Sequence, residues 1–128
     1  MTTAKDIKIL VVDDDPFILD MYVLKFKDQG FQIDTATDGQ AALEKIQTEK
    51  FDIVLLDVIM PKMDGFDVIK KIKEYKTPQS FKILFLTNFG QKEDVEKGME
   101  LGADGYVIKA HFTPSEVVTK VKELLKIA

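Results

Sequence analysis

Residues 51 to 65 read FDIVLLDVIMPKMDG. The apolar run Ile53 to Leu56 stops abruptly at Asp57, and Pro61 and an Asp64-Gly65 pair follow. Side chains that are apolar on both sides of the pleat suit a strand buried on both faces, as in the middle of a parallel sheet. A carboxylate at its end stands at the C-terminal edge of that sheet, where open α/β sheets hold their ligands. Pro61 ends the strand, and Asp64 suits the N-cap of the next helix. Taken alone, Asp57 reads more readily as a solvated turn aspartate. The other strand ends decide between the two.

Working outward, Ile7 to Val12 (IKILVV) is a second apolar run, and it ends in Asp13, Asp14 and Asp15. Pro16 fits the first position of a helix capped by Asp15. Ile18, Leu19, Tyr22 and Phe26 recur at helical spacing, and Gly30 closes that helix. Phe31 to Ala36 alternates apolar and polar residues, as an edge strand does. Asp38-Gly39 opens a helix with Ala42, Leu43 and Ile46 inward. The strand Phe51–Asp57 is followed by a helix with Phe66, Ile69 and Ile72 on one face. Thr77-Pro78 breaks the chain before a fourth strand, Phe81 to Leu86, which ends in Thr87. Gln91 to Glu100 reads as a weaker helix, since Gly98 lowers its propensity. Gly105 to Ile108 is a short fifth strand ending in Lys109. Thr113-Pro114-Ser115-Glu116 is a capping box that starts a last helix, with Val117, Val121, Leu124 and Leu125 on its face. Strand and helix alternate five times, which argues a doubly wound α/β fold with helices on both faces of a parallel sheet.

The chain has 128 residues, enough for one domain spanning 1–128 with a real core. A hydrophobic fraction of 45% and a charged fraction of 31% suit a globular protein. The net charge of -4 gives no reason to expect direct binding to nucleic acid or to an anionic membrane. No cysteine is present, so disulfides and thiolate metal sites are excluded. No apolar run has membrane-spanning length, and Met1 to Asp6 lacks the apolar core of a signal peptide. A cytoplasmic location is expected.

Four of the five strands end in polar groups: Asp13 and Asp14, Asp57, Thr87 and Lys109. A doubly wound sheet brings such ends to one edge. Close carboxylates repel and need a proton or a cation between them. An all-oxygen site with spare positions suits Mg²⁺. With a metal offsetting charge, Asp57 is available as a nucleophile toward a phosphoryl group. Lys109 supplies a mobile cation for developing negative charge, and the Thr87 hydroxyl can donate to a phosphoryl oxygen. The expected product is an aspartyl phosphate at Asp57.

VVDDDP at Asp13–Asp14, LLDVIMPKMDG at Asp57, FLTN at Thr87 and GADGYVIK at Tyr106 and Lys109 follow one another in a specific order and spacing. The chain resembles the receiver domains of two-component response regulators, of the chemotaxis-regulator kind, over nearly its whole length. That resemblance implies a flavodoxin-like (βα)5 fold with strand order 2-1-3-4-5. It implies that a sensor histidine kinase or a histidine phosphotransfer protein phosphorylates Asp57. It also implies Mg²⁺ held by Asp13, Asp14, Asp57 and the backbone carbonyl of Ile59. Thr87 and Tyr106 would form the switch, remodelling the surface of the fourth helix, fifth strand and fifth helix that an output protein or domain reads. The resemblance points to a phosphorylatable signalling switch rather than an enzyme. Whether it acts as a monomer or dimerises on phosphorylation stays open, as do the kinase, the pathway and any attached effector.

The chain departs from that pattern in places. Ala110 stands after Lys109 where receivers usually carry proline, often behind a cis peptide. A cis bond to alanine costs roughly 3–4 kcal/mol, so a trans or mobile Lys109–Ala110 peptide is expected. Asn88 follows Thr87 where a small side chain is usual, and it would narrow access to Asp57. Ile59 and Phe89 occupy positions that tune hydrolysis in this family. Both are apolar and orient water poorly, which predicts a long-lived phosphoryl state.

Plainer roles stand beside these. Asp15 reads as a helix cap, Tyr106 as either a core aromatic or a switch, and His111 as a surface or capping residue. Lys62 and Lys92 read as solvated charges, Met60 and Met63 as packing. Two other functions compete. One is a receiver-like binding module that is never phosphorylated. The other is a small haloacid-dehalogenase-like phosphatase attacking through Asp13, although the chain has no room for a cap insertion. A flavin binder would need a phosphate loop after the first strand that the residues do not provide.

Overall fold

The computed structural model describes residues 3–75, 81–88 and 90–127. Thr77, Pro78 and Phe89, which carried expectations above, lie outside the described residues. A 3-10 turn at Ala4–Asp6 precedes five strand–helix pairs. These are β1 (Lys8–Val12), α1 (Pro16–Asp28), β2 (Gln32–Ala36), α2 (Gly39–Thr48), β3 (Ile53–Leu56) and α3 (Gly65–Lys73). Then follow β4 (Lys82–Thr87), α4 (Lys92–Glu100), β5 (Gly105–Ile108), a 3-10 turn at Lys109–His111, and α5 (Pro114–Leu125). The expected boundaries hold to within about two residues. All ladders are parallel, in the order β2-β1-β3-β4-β5, which is the order the receiver resemblance implied.

Each strand sorts its side chains by alternation. Ile9, Val11, Ile53, Leu55, Leu84 and Leu86 face α1 and α5, where Leu19, Tyr22, Phe26, Val117 and Val121 complete one core. Leu10, Val12, Val54, Leu56, Ile83 and Phe85 face the opposite way, against Ala42, Ile46, Phe66 and Ile69 of α2 and α3. All four residues of β3 are buried, as a central parallel strand requires, whereas β2 at the edge is largely half-exposed.

Helix starts are where the residue chemistry placed them. Asp15, Asp38, Asp64 and Thr113 each accept from a backbone N–H in the first turn that follows. Gly30 and Gly102 take positive φ (+93° and +106°) after α1 and α4, closing both helices. The glycine within α4 has a packing reason. Gly98 is the buried residue of that helix, and a Cβ there would lie 3.1 Å from the Phe85 ring and 3.2 Å from Tyr106. What its propensity costs α4, close approach to the sheet returns. Met99 faces outward instead, 44% exposed. No helix among the described residues is long and apolar enough to cross a membrane.

Candidate functional site

The parallel register fixes the site's floor. Val12 pairs with Ala36 on one side and Leu56 on the other, so the residues that follow Val12 and Leu56 leave adjacent strands at the same height. The ladder runs one rung further: Asp13 N–H donates to the Ala36 carbonyl at 3.1 Å, and Asp57 N–H to the Val12 carbonyl at 3.0 Å. The backbones of both aspartates are therefore held by the sheet itself. Gly65 closes the approach from below. Its N–H donates to the Val58 carbonyl at 2.8 Å, and a Cβ there would lie 2.4 Å from the Asp57 carbonyl oxygen.

Asp13, Asp14, Asp57 and Lys109 come together at this edge. One oxygen from each of the three carboxylates lies within 4.8 Å of the others. Asp13 and Asp57 are buried, whereas Asp14 is exposed. Lys109, in the turn after β5, directs its Nζ onto Asp13 Oδ2 and reaches Asp57 Oδ2 at 3.3 Å. The other Asp13 oxygen accepts from Asp15 N–H at 2.9 Å, so both of its oxygens are engaged. Thr87 is buried at the end of β4, and with Asn88 and Ile59 it completes the lining of an open pocket of about 410 Å³. Ile59 presents its side chain at the mouth, 57% exposed.

The electrostatics follow from this crowding. Burial pushes the Asp13 carboxyl above its ordinary range, and the Lys109 ammonium only partly offsets that. Burial pulls the Lys109 ammonium down, but Asp13 and Asp57 outweigh it and hold its pKa above the ordinary lysine value. Three carboxyl groups against one ammonium give the pocket a formal charge of minus two. Oxygen donors with that residual charge, one of them open to solvent, fit a hard divalent cation such as Mg²⁺.

The remaining expectations fall out residue by residue. Asp15 caps α1 and is no member of the carboxylate cluster. His111 is exposed, as a surface residue should be, and Met60 is buried in the core below α3. Tyr106 is half-buried beside Phe85, ring centroids 5.5 Å apart, so it is packed and yet near the surface. Burial, then Asp94 and Asp57, push its phenol up to about 12. No peptide among the described residues is cis, so Lys109–Ala110 is trans, as alanine at that position led us to expect. Two features escaped the sequence reading. Lys62 is solvent-exposed as foreseen, but its backbone is left-handed, with φ of +69°. Asn88 accepts a hydrogen bond from Ala110 N–H at 3.0 Å.

Comparison with known proteins points the same way as this geometry. Residues 9–122 match the family model for the response regulator receiver domain. The alkaline phosphatase synthesis transcriptional regulatory protein PhoP of Bacillus subtilis is 43% identical over 119 residues, covering 93% of this chain and 48% of PhoP. The regulatory protein VanRc of Enterococcus gallinarum is 39% identical, covering 93% of this chain and 50% of VanRc. The chain thus spans about half the length of these curated relatives. Among solved structures, the chemotaxis protein CheY4 of Vibrio cholerae superposes with a TM-score of 0.85 at 32% identity, covering 96% of this chain and 99% of that one. A BeF3-activated DrrB receiver domain superposes at 0.81 with 36% identity, covering 94% and 97%.

Proposed function

Because the chain belongs to the response regulator receiver family, we propose that it is a phosphorylatable switch in which Asp57 takes a phosphoryl group from a phosphohistidine. The observation that carries this reading is the cluster itself: Asp13, Asp14 and Asp57 within 4.8 Å, with Lys109 Nζ 3.3 Å from Asp57, at the C-terminal edge of the sheet. In the transfer, an Asp57 carboxylate oxygen forms the new O–P bond as the N–P bond of the donor breaks, and the imidazole leaves to take up a proton. Lys109 offsets charge growing on the phosphoryl oxygens, and Thr87 donates to one of them. Asp13 is the weaker choice of nucleophile, since Lys109 and the Asp15 N–H already engage both of its oxygens. This argues against a phosphatase working through that residue.

Asp13, Asp14, Asp57 and the carbonyl of Ile59 would hold Mg²⁺, which when bound neutralises the entering phosphoryl charge. The donor is a sensor histidine kinase or a phosphotransfer protein. The answer to phosphorylation runs through Thr87 and Tyr106 to the surface of α4, β5 and α5, where an output protein, an attached output domain or a second receiver reads it. The whole chain, 1–128, acts as one receiver domain and turns over no substrate of its own. Apolar Ile59 at the mouth gives no help in orienting a hydrolytic water, so the phosphoryl group is retained.

Intact-mass analysis with acetyl phosphate and Mg²⁺ tests this. The expected result is a single phosphoryl adduct that requires Mg²⁺, decays slowly and is absent from Asp57→Asn. Steady release of phosphate without an adduct would favour a phosphatase. A chain inert to both acetyl phosphate and a kinase would be the unphosphorylated binding module.

A further inference from the structure

Asn88 and Ala110 are each the immediate successor of a residue in the site, Thr87 and Lys109, and they are bonded to one another. The Asn88 Oδ1 accepts from Ala110 N–H at 3.0 Å. Neither half of this bond is replaceable by the residues more usual there. Proline at position 110 has no N–H to give, and a small side chain such as alanine at 88 has no oxygen to receive it. Thr87 and Ile108 are the last register pair of β4 and β5. The contact therefore lies just past the end of the ladder, with a side-chain oxygen standing where a carbonyl would continue it.

A second contact joins the same two segments. Gly90 lies so close to Ile108 that a Cβ there would meet its Cδ1 at 1.8 Å. Asn88 and Gly90 thus lie directly against Ala110 and Ile108. Lys109 sits inside that fastened stretch, in the short turn Lys109–His111, with its Nζ drawn to Asp13 and Asp57.

We propose that Asn88 is a positioning residue. Through Ala110 N–H it holds the turn that carries Lys109, so that the ammonium stays over the phosphoacceptor carboxylate. A proline would stiffen this turn by fixing φ; here a hydrogen bond from the neighbouring loop takes that part. Asn88 acts through Lys109 and touches no reacting atom. This rests on the phosphoacceptor reading above, and it opposes the simpler idea that Asn88, at the pocket wall, merely narrows entry.

Two measurements on the chain test it. The first is hydrogen exchange at the Ala110 amide by NMR, which needs no phosphodonor. Protection is expected in the wild type and in Asn88→Asp, which keeps the acceptor, and loss of it in Asn88→Ala. The second is the rate of Asp57 phosphorylation across acetyl phosphate concentrations, with Mg²⁺, in Asn88→Ala, Ala110→Pro and the double variant. Asn88→Ala should lower the maximal rate roughly two- to ten-fold, the range one hydrogen bond allows, and leave the half-saturating concentration unchanged. In the Ala110→Pro background the same substitution should change nothing, because the donor is gone. A rate that rises in Asn88→Ala, an equal fall in the proline background, or an unprotected wild-type amide would each overturn the proposal. A wild-type chain that takes up no phosphoryl group would instead overturn the phosphoacceptor reading, and the amide result tells the two failures apart.

Discussion

Lys109 reaches carboxylates that belong to other strands, and its length is what makes that contact available. β5 is separated from β3 by β4, so the two strands lie about 10 Å apart at ordinary sheet spacing. A flexible four-carbon stem with a point charge at its tip bridges that gap where a shorter base would not. Tyr106, on the same strand, offers a reading of the local field. Its phenol, ordinarily at 10.0, is raised to about 12 by burial and by Asp94 and Asp57. Between those values the unfolded chain has lost this proton and the folded chain keeps it. The stability it contributes is therefore whole below pH 10 and declines as pH rises toward 12. Denaturant titrations at pH 9 and pH 11 should show a smaller alkaline loss in Tyr106→Phe than in the wild type. Asp13, Asp14, Asp57, Thr87 and Lys109 were all legible in the sequence because each ends an apolar run. The Asn88–Ala110 bond was not, because two departures read separately do not say that their atoms meet.

At the scale of single elements, the turn between β3 and α3 concentrates the constraints. Gly65 has no space for a side chain, since a Cβ would stand 2.4 Å from the Asp57 carbonyl oxygen and 3.0 Å from Val58 Cα. Both obstacles are backbone and cannot swing aside. Gly65→Ala should destabilise the fold by about 2–3 kcal/mol in urea titration, at the upper end of what overpacking costs, and should slow phosphorylation by displacing Asp57. Lys62, four residues beyond Val58, has the reverse problem. It holds φ of +69° with a full side chain, and Lys62→Gly should raise stability by about 1 kcal/mol by removing that steric cost. At Gly98 any side chain would press on the ring of Phe85, which is fully buried and must shift to admit it. The capping residues and the helix-ending glycines could be read from the chain, because they act on their own neighbours. The left-handed lysine could not, since nothing local in PKMDG demands glycine where lysine stands.

For the whole molecule, the two faces of the sheet carry different duties. α1 and α5 cover one face, α2, α3 and α4 the other, and the pocket opens at the end between them. From its first turn onward α1 leaves apolar side chains in solvent: Phe17 is 83% exposed, Met21 41% and Leu24 71%. They recur at i, i+4 and i+7, one stripe on one helix. On the reading proposed above, a protein that delivers a phosphohistidine to Asp57 would meet the N-terminal end of this stripe. The double substitution Phe17→Ala, Leu24→Ala should therefore leave labelling by acetyl phosphate unchanged and slow transfer from a protein phosphohistidine donor at least about ten-fold, as loss of central apolar anchors does elsewhere. Five parallel strands with helices on both sides were readable from alternation alone. The order 2-1-3-4-5 was not, because periodicity says which residues are buried and not which strand lies beside which. It came from resemblance, and the ladders bear it out.

That order has a consequence for a chain made from its N-terminus. β2, β1 and β3 are contiguous in the sheet and all precede residue 57. A growing polypeptide can therefore gather Asp13, Asp14 and Asp57 while β3 still has an open edge. The lysine that offsets part of their charge lies 52 residues after Asp57. A half-sheet formed during synthesis would hold the repulsion before its counter-charge, unpaired at its edge and overcharged at its tip. The turn after the last strand carries the counter-charge for the first loop.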